Sequence, residues 1–156
     1  MIFPKSKAFN PQFDAVECFC FDGNGKLILL QKRKDHKIYP GRWGIPAGRV
    51  ELDENPFDAI AREIREETGN NVPRDMLKLA FETNHKHIIK RGGGESVLCF
   101  RLYTFISEMR LRKVVLDKKE HEAYGTIKPQ HLSSLRRELI PDTLAIYNSL
   151  KILRKV

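Results

Sequence analysis

The sequence predicts an α/β protein in which a mixed β-sheet is packed between helices. Three observations carry this expectation. Strand-like runs rich in β-branched and aromatic residues lie both before and after one sharply punctuated helix. That helix has an apolar stripe along one face, and the C-terminal stretch returns to helical periodicity. At 156 residues the chain reads as one domain, 1–156, large enough to bury a substantial core.

The N-terminal MIFPKSKAFNPQF lacks a continuous apolar run and a small-residue cleavage site, so it does not read as a signal peptide. FDAVECFCF (13–21) alternates partly, DGNG (22–25) is a turn signal, and KLILLQKR (26–33) resumes as a strand, which predicts a hairpin. DHKIYPGRWGIPAGR (35–49) is studded with Pro and Gly and reads as an irregular loop. Asn55 then offers an N-cap, Pro56 suits the first helical position, and Asp58 completes a capping-box-like pair. Phe57, Ile60, Ala61 and Ile64 follow at i, i+3, i+4 and i+7, and Gly69 fits the position just past the helix end, predicting a helix over 56–68. MLKLAFETNH (76–85) and SVLCFRLYTFI (96–106) read as strands joined across KRGGGES, and EAYGTIK (122–128) as a further short strand. A short helix is expected after Pro129 and an amphipathic one from Pro141 onwards, on Leu144, Ile146, Tyr147, Leu150 and Leu153.

Composition narrows the function classes. No apolar run approaches the ~20 residues that span a bilayer, so no membrane role is expected. Cys18, Cys20 and Cys99 are odd in number and form no CxxC, which points to buried reduced thiols and a cytoplasmic protein. Cys18 and Cys20 would share a strand face, where a metal pair is the weaker alternative. The net charge of +8, from 28 Lys plus Arg against 20 Asp plus Glu, favours an anionic partner such as a nucleotide or RNA. The basic residues are dispersed, at KSK near the start, 31–37, 110–113 and the end, so a dedicated nucleic-acid module is not favoured.

REIREETGN (62–70) poses a problem of charge. Glu63, Glu66 and Glu67 fall three and four residues apart, about 5–6 Å at Cβ if helical, where like charges repel. They also crowd the negative end of the helix dipole. A shared hard cation such as Mg²⁺ or Mn²⁺ would convert that repulsion into coordination. The competing reading is a solvated acidic face, softened by Arg62 pairing with Asp58 and Glu66 at i±4.

Gly48, five residues, Glu54, seven residues, then Arg62-Glu63-Ile64-Arg65-Glu66-Glu67-Thr68-Gly69 resembles the Nudix box of the Nudix hydrolases, with every fixed polar and Gly position at the required spacing. Asn70 departs from it, standing where the family usually has an aliphatic residue, and Ala47 occupies a position where a second Gly is frequent. The resemblance implies a Nudix-like α/β/α sandwich and metal-dependent hydrolysis of a nucleoside diphosphate linked to another moiety. It implies Glu63, Glu66 and Glu67 as metal ligands, the Ala47 carbonyl as a further one, Arg62 as the residue that holds a glutamate in place, and Glu54 and Gly48 as shapers of the loop-to-helix turn. KEHEAYGTI resembles a stretch that some members place beside the metals, making Glu120 a distal ligand or base, with an exposed loop charge as the alternative. His121 reads as a loop residue.

Lys32, Arg33, Lys34 and Arg42 are candidates for phosphate contact, and Trp43 either stacks on a base or packs beneath the box loop. His85, Lys86 and His87 before Gly92-Gly93-Gly94 read as a flexible hairpin tip in preference to a phosphate cradle, since the Walker A spacing is missing. The markers of ADP-ribose and dinucleoside polyphosphate hydrolases, a proline and a tyrosine beyond the box, are not seen. The expected substrate is therefore a small nucleotide, a nucleoside triphosphate or a relative, with nucleotide sugars and capped RNA left open. A nucleotide- or RNA-binding module on the same fold without turnover is the alternative. Homodimers are common in the family, but nothing in the sequence marks an interface.

Overall fold

The structure, a computed structural model, describes residues 9–153 and 156. The first residues, which do not read as a signal peptide, and their KSK cluster therefore lie mostly outside the described residues, as does most of the basic C-terminal RKV. Among the described residues seven strands and two α-helices run in the order β1 (Phe13–Phe19), β2 (Leu27–Lys32), β3 (Trp43–Gly44), β4 (Ala47–Arg49), α1 (Pro56–Thr68), β5 (Leu77–Arg91), β6 (Gly94–Ser107), β7 (His121–Ile127) and α2 (Thr143–Ile152). Short 3₁₀ helices fill Arg74–Met76 and Pro129–Leu135. Among the described residues no helix is long and apolar enough to cross a membrane.

The expected mixed architecture is present, with its strands shared between two sheets. One has the order β4-β1-β6-β5, the other β3-β2-β7. The first is mixed, because β1 runs parallel to β6 while its other neighbour β4 is antiparallel. The predicted 13–33 hairpin is corrected accordingly. Its turn forms, with Gly25 N–H donating to Asp22 O, but contact between the two strands stops at the Phe21–Leu27 bridge and the Ile28 N–H bond to Cys20 O. Both edges of β1 are filled by β4 and β6, so β2 continues into the second sheet and pairs with β7. The loop expected over 35–49 carries β3 and β4, and each small strand serves a different sheet.

Period-two alternation divides the core. Val16, Cys18, Ile28 and Leu30 pack with Ile60, Ile64 and Phe105 beneath α1. Their neighbours Phe19, Leu27 and Leu29 pack with Phe100, Ile146, Tyr147 and Leu150 beneath α2. Cys18 and Cys20 are buried free thiols on one face, and Cys99 is partly exposed.

Helix α1 is built as its sequence implies. The Asn55 side chain accepts from Asp58 N–H at 3.0 Å and Pro56 occupies the first turn. Gly69 ends the helix at φ 76°, its N–H donating to Arg65 O, in the left-handed conformation that glycine adopts without a Cβ clash. The segment KRGGGES is almost wholly strand: β5 and β6 are longer than expected and close through Gly92 and Gly93, at φ 49° and 83°. Positive φ at both central residues is the signature of the tight hairpin turn that matches strand twist.

Asn70 is buried and fully engaged. Its Oδ1 accepts from Arg112 N–H at 3.0 Å and its Nδ2 donates to Thr68 O at 3.1 Å and Lys113 O at 3.4 Å. An aliphatic residue there would only pack. The amide instead ties the end of α1 to the segment that leads towards β7.

Candidate active site

The site forms where β4 lies against α1. Gly48 is the close-approach point: a Cβ there would stand 2.1 Å from the Glu63 carboxyl. No other residue leaves room for that glutamate. Glu63 and Glu67 are buried on the core side of α1, while Glu66 faces outward with its side chain half exposed.

Arg62 organises the group. Its Nε and Nη2 donate to the two oxygens of Glu54 at 2.9 and 3.0 Å, and Nη2 also donates to Arg49 O at 3.0 Å. Nη1 reaches Glu63 Oε1 at 2.7 Å and Glu66 Oε2 at 3.4 Å. The predicted pairing with Glu66 is therefore present. Asp58 takes no part in it, because its carboxylate accepts instead from the capping Asn55 Nδ2 at 2.6 Å. The hydrogen bond to Glu54, above all, raises the guanidinium pKa further, so it remains a fixed positive charge.

Glu67 is 3% exposed. Its Oε2 accepts from Ala47 N–H at 3.3 Å, and its buried Oε1 has no hydrogen-bond partner among the described residues. Burial pushes the carboxyl well above its ordinary value. The Lys32 charge and the Ala47 N–H oppose that push, whereas Glu63 and Glu120 add to it. Burial likewise raises Glu63 against the pull of Arg62. Glu120, exposed on the loop entering β7, brings a carboxylate oxygen to this point: ligand atoms of Glu67, Glu120 and His121 lie within 4.8 Å of one another. His121 is the first residue of β7 and is buried, not a loop residue, and its Nδ1 also has no partner among the described residues. Burial first, then the Lys32 and His36 charges, push its imidazole down to about 4.

A buried carboxylate oxygen and a buried ring nitrogen without partners, beside further carboxylates, form a donor set that fits a divalent cation. Such orphaned polar atoms are costly unless a ligand satisfies them.

Beside this cluster opens a cavity of about 210 Å³. Glu17, Lys32, Ala47 and Gly48 form its wall on the carboxylate side. Phe13, Tyr39, Phe100 and Ile146 are among those lining the remainder. Phe13 and Phe100 stack at 5.3 Å between ring centroids, and the Arg49 guanidinium lies 3.8 Å over the Phe13 ring. Glu17 accepts from Thr104 Oγ1 at 2.8 Å, and burial pushes its carboxyl up to about 7.

The sequence candidates divide. Ala47, Glu63, Glu66, Glu67 and Glu120 are brought together, with Arg62 bonded into the set. Arg33 stands beside it: its Nε and Nη2 pair with Asp35, Nη1 donates to Lys118 O at 3.1 Å, and its N–H donates to Glu120 O at 3.0 Å. Arg42 donates to the carbonyls of Arg137 and Leu139, and Trp43 packs into the core near Gly125. Neither lines the cavity. His85 and His87 lie in strand β5, not at a hairpin tip, and line the cavity with Asp142. Sequence reasoning missed the aromatic wall. The His-x-His alternation within a β-run was the available signal, since it sets both rings on one face.

A family model described as the NUDIX domain matches residues 11–147. The nucleoside triphosphatase NudI of Escherichia fergusonii is 23% identical over 118 residues, covering 76% of this chain and 84% of the relative. Among solved structures, the MutT protein from Methanosarcina mazei Go1 superposes with a TM-score of 0.74 at 20% identity, over 96% of this chain and all of that one. The NUDIX domain of Shewanella oneidensis NrtR, solved with ADP ribose, gives a TM-score of 0.69 at 18% identity, over 95% and 92% of the two chains.

Proposed function

The chain belongs to the Nudix hydrolase family, and from that premise we propose that it hydrolyses a pyrophosphate bond of a nucleoside triphosphate or closely related small nucleotide, using Mg²⁺ held by Glu63, Glu66, Glu67 and Glu120. It is a Nudix pyrophosphohydrolase, with every fixed polar and glycine position of the box present. One observation supports the reading of substrate and metal: the carboxylates, with a Glu67 oxygen unpartnered among the described residues, lie against Ala47 and Gly48, which line a cavity that also holds Phe13 and Phe100. Triphosphate and metal belong at one end of such a site, and an aromatic base at the other. The triphosphatase activity in the name of the NudI relative supports the same class.

The Ala47 carbonyl is a further ligand candidate beside the glutamates. When bound, the divalent ion would neutralise phosphate charge and make water a better nucleophile. The chain's own residues supply the rest. Arg62 fixes the Glu63 carboxylate and steadies Glu66, which holds ligand orientation through its neighbours. Lys32, on the cavity wall near Glu67, offers a positive charge to a phosphate oxygen. Phe13 and Phe100 exclude water from the nucleoside end and offer apolar ring edges to a base, their faces being covered by Arg49, by each other and by His85. Glu120, exposed to solvent on its loop, would hold the ion or accept the attacking water's proton and release it to bulk.

The test is release of phosphate or pyrophosphate with Mg²⁺ from a panel of canonical and oxidised triphosphates, ADP-ribose, nucleotide sugars, dinucleoside polyphosphates and capped RNA. A preference for a triphosphate, lost in Glu66→Gln and in chelator, is the expected result. Turnover that persists in chelator would overturn the metal mechanism. Nucleotide binding without turnover across the panel would replace the enzyme by a binding module.

A further inference from the structure

His85, His87 and Asp142, all lining the cavity, converge as a group distinct from Glu67, Glu120 and His121. Ligand atoms of all three lie within 4.8 Å of one another. Asp142 Oδ2 is 3.0 Å from His85 Nδ1 and 2.6 Å from His87 Nε2. We propose that these three side chains form a second metal site, one for a transition ion of the Zn²⁺ class, separate from the hard-cation site on α1.

The first argument is donor chemistry. Two imidazoles and one carboxylate suit Zn²⁺ and its neighbours, whereas an oxygen-only set suits Mg²⁺. Tetrahedral ligands at Zn–N and Zn–O distances of about 2.0–2.2 Å stand about 3.3 Å apart, so the two spacings to Asp142 would open by less than ~1 Å, and the His85–His87 pair already lies within 4.8 Å. Three protein ligands with the remaining position facing a cavity is the arrangement of an open site, not a sealed structural one.

The second argument is the outer set of contacts. Each imidazole has a hydroxyl on its other nitrogen: Thr83 Oγ1 on His85 Nε2 at 2.7 Å, and Tyr39 Oη on His87 Nδ1. A metal-binding histidine characteristically donates its second N–H to an oxygen acceptor, which fixes tautomer and ring orientation, and a hydroxyl oxygen can fill that role. A hydroxyl both donates and accepts, so these two can serve the ion-bound tautomers as readily as the ion-free ones.

The rings are also held in place. His85 stacks on Phe100 at 5.3 Å, and His87 stands edge-on to the same ring at 5.0 Å. Both histidines sit two apart on β5 and so share a face, and their side chains are only 11% and 12% exposed. Asp142 comes from the opposite side, in the left-handed conformation at φ 73° that brings the chain from Pro141 into α2. The ion would therefore join β5 to the start of α2 across the cavity.

The experiment is a Co²⁺ and Zn²⁺ titration of the full chain in a large excess of Mg²⁺, which keeps the carboxylate site filled with its own ion. One equivalent of Co²⁺ with the strong visible absorption of a four-coordinate ion is expected, displaced by Zn²⁺. His87→Ala and Asp142→Asn should weaken it about 100-fold or more, and Tyr39→Phe about 10-fold. Glu67→Gln should leave it unchanged, which separates this site from the carboxylate site. X-ray absorption on unaltered protein with one equivalent of Zn²⁺ should show imidazole ligands, a readout that needs no variant to fold. No ion retained in excess Mg²⁺, an ion lost with Glu67→Gln but not His87→Ala, or an absorption spectrum without imidazole would each overturn the site.

Discussion

At the scale of single residues, the site depends on charges that are uncomfortable until they are partnered. Gly48 gives the clearest case: the space its missing Cβ leaves is occupied by the Glu63 carboxyl. Glu17 is the same problem on the cavity side, buried with Thr104 as its hydrogen-bond donor and pushed up to about 7 from 4.5. The folded state thus holds the proton more tightly than the unfolded chain. Below pH 4.5 both states are protonated and burial carries no ionic penalty. As pH rises from 4.5 to about 7 the unfolded chain ionises first, so stability falls, by up to about 3 kcal/mol once pH passes 7. Glu17→Gln keeps the acceptor oxygen and removes the charge. It should be more stable than the parent at pH 8, with the gap closing towards pH 4.5 in urea or thermal melts. A gap independent of pH would show that ionisation of Glu17 is not its cause.

At the scale of elements, the site depends on how the segment before β7 is held. Arg33 was a candidate for phosphate contact in sequence, yet its backbone N–H bonds Glu120 O and its guanidinium bonds Lys118 O while pairing with Asp35. These contacts describe a residue that places Glu120. Arg33→Ala should therefore lower kcat by about tenfold or more with KM little changed, because a misplaced catalytic group loses transition-state stabilisation. A raised KM with unchanged kcat would return Arg33 to the substrate. Surface pairing with Asp35 adds little, so the variant should lose under about 1 kcal/mol of stability. Legibility at this scale was uneven. Helix α1, with Asn55, Pro56 and Gly69 at its ends, was readable because caps act within a few residues. The short β3 and β4 were not, since two or three residues show no periodicity and owe their conformation to β2 and β1.

At the scale of the whole molecule, the two sheets and α1 bring residues from β4, α1 and the loop before β7 to one point, in a protein of net charge +8. Among the described residues the cluster leaves a buried oxygen and a buried nitrogen unpartnered, and Glu63 and Glu67 repel each other. Mg²⁺ should therefore raise the melting temperature of metal-free protein by about 5–10 °C at a hundredfold excess over its dissociation constant. Glu66→Gln should melt, metal-free, within a degree or two of the parent or slightly above it, because a half-exposed charge beside other carboxylates contributes little to stability. A large loss of metal-free stability in that variant would mean that Glu66 is structural.

The sequence by itself determined the helix, its caps and the Gly48-to-Gly69 spacing of the box, and with them the family. Each of these is written in residues close along the chain, where helical geometry converts spacing directly into position. It also determined the alternation that sends Cys18 and Phe19 into opposite cores. Only the tertiary structure decided that β1 and β2 enter different sheets, that His121 is buried next to Glu67, and that Arg42 and Trp43 turn away from the cavity. It alone joined His85 and His87 to Asp142, more than fifty residues further on, because β5 continues through both histidines and faces the start of α2. Contacts of that range depend on which strand edges are already taken and which faces must be covered. No local pattern along the chain records either.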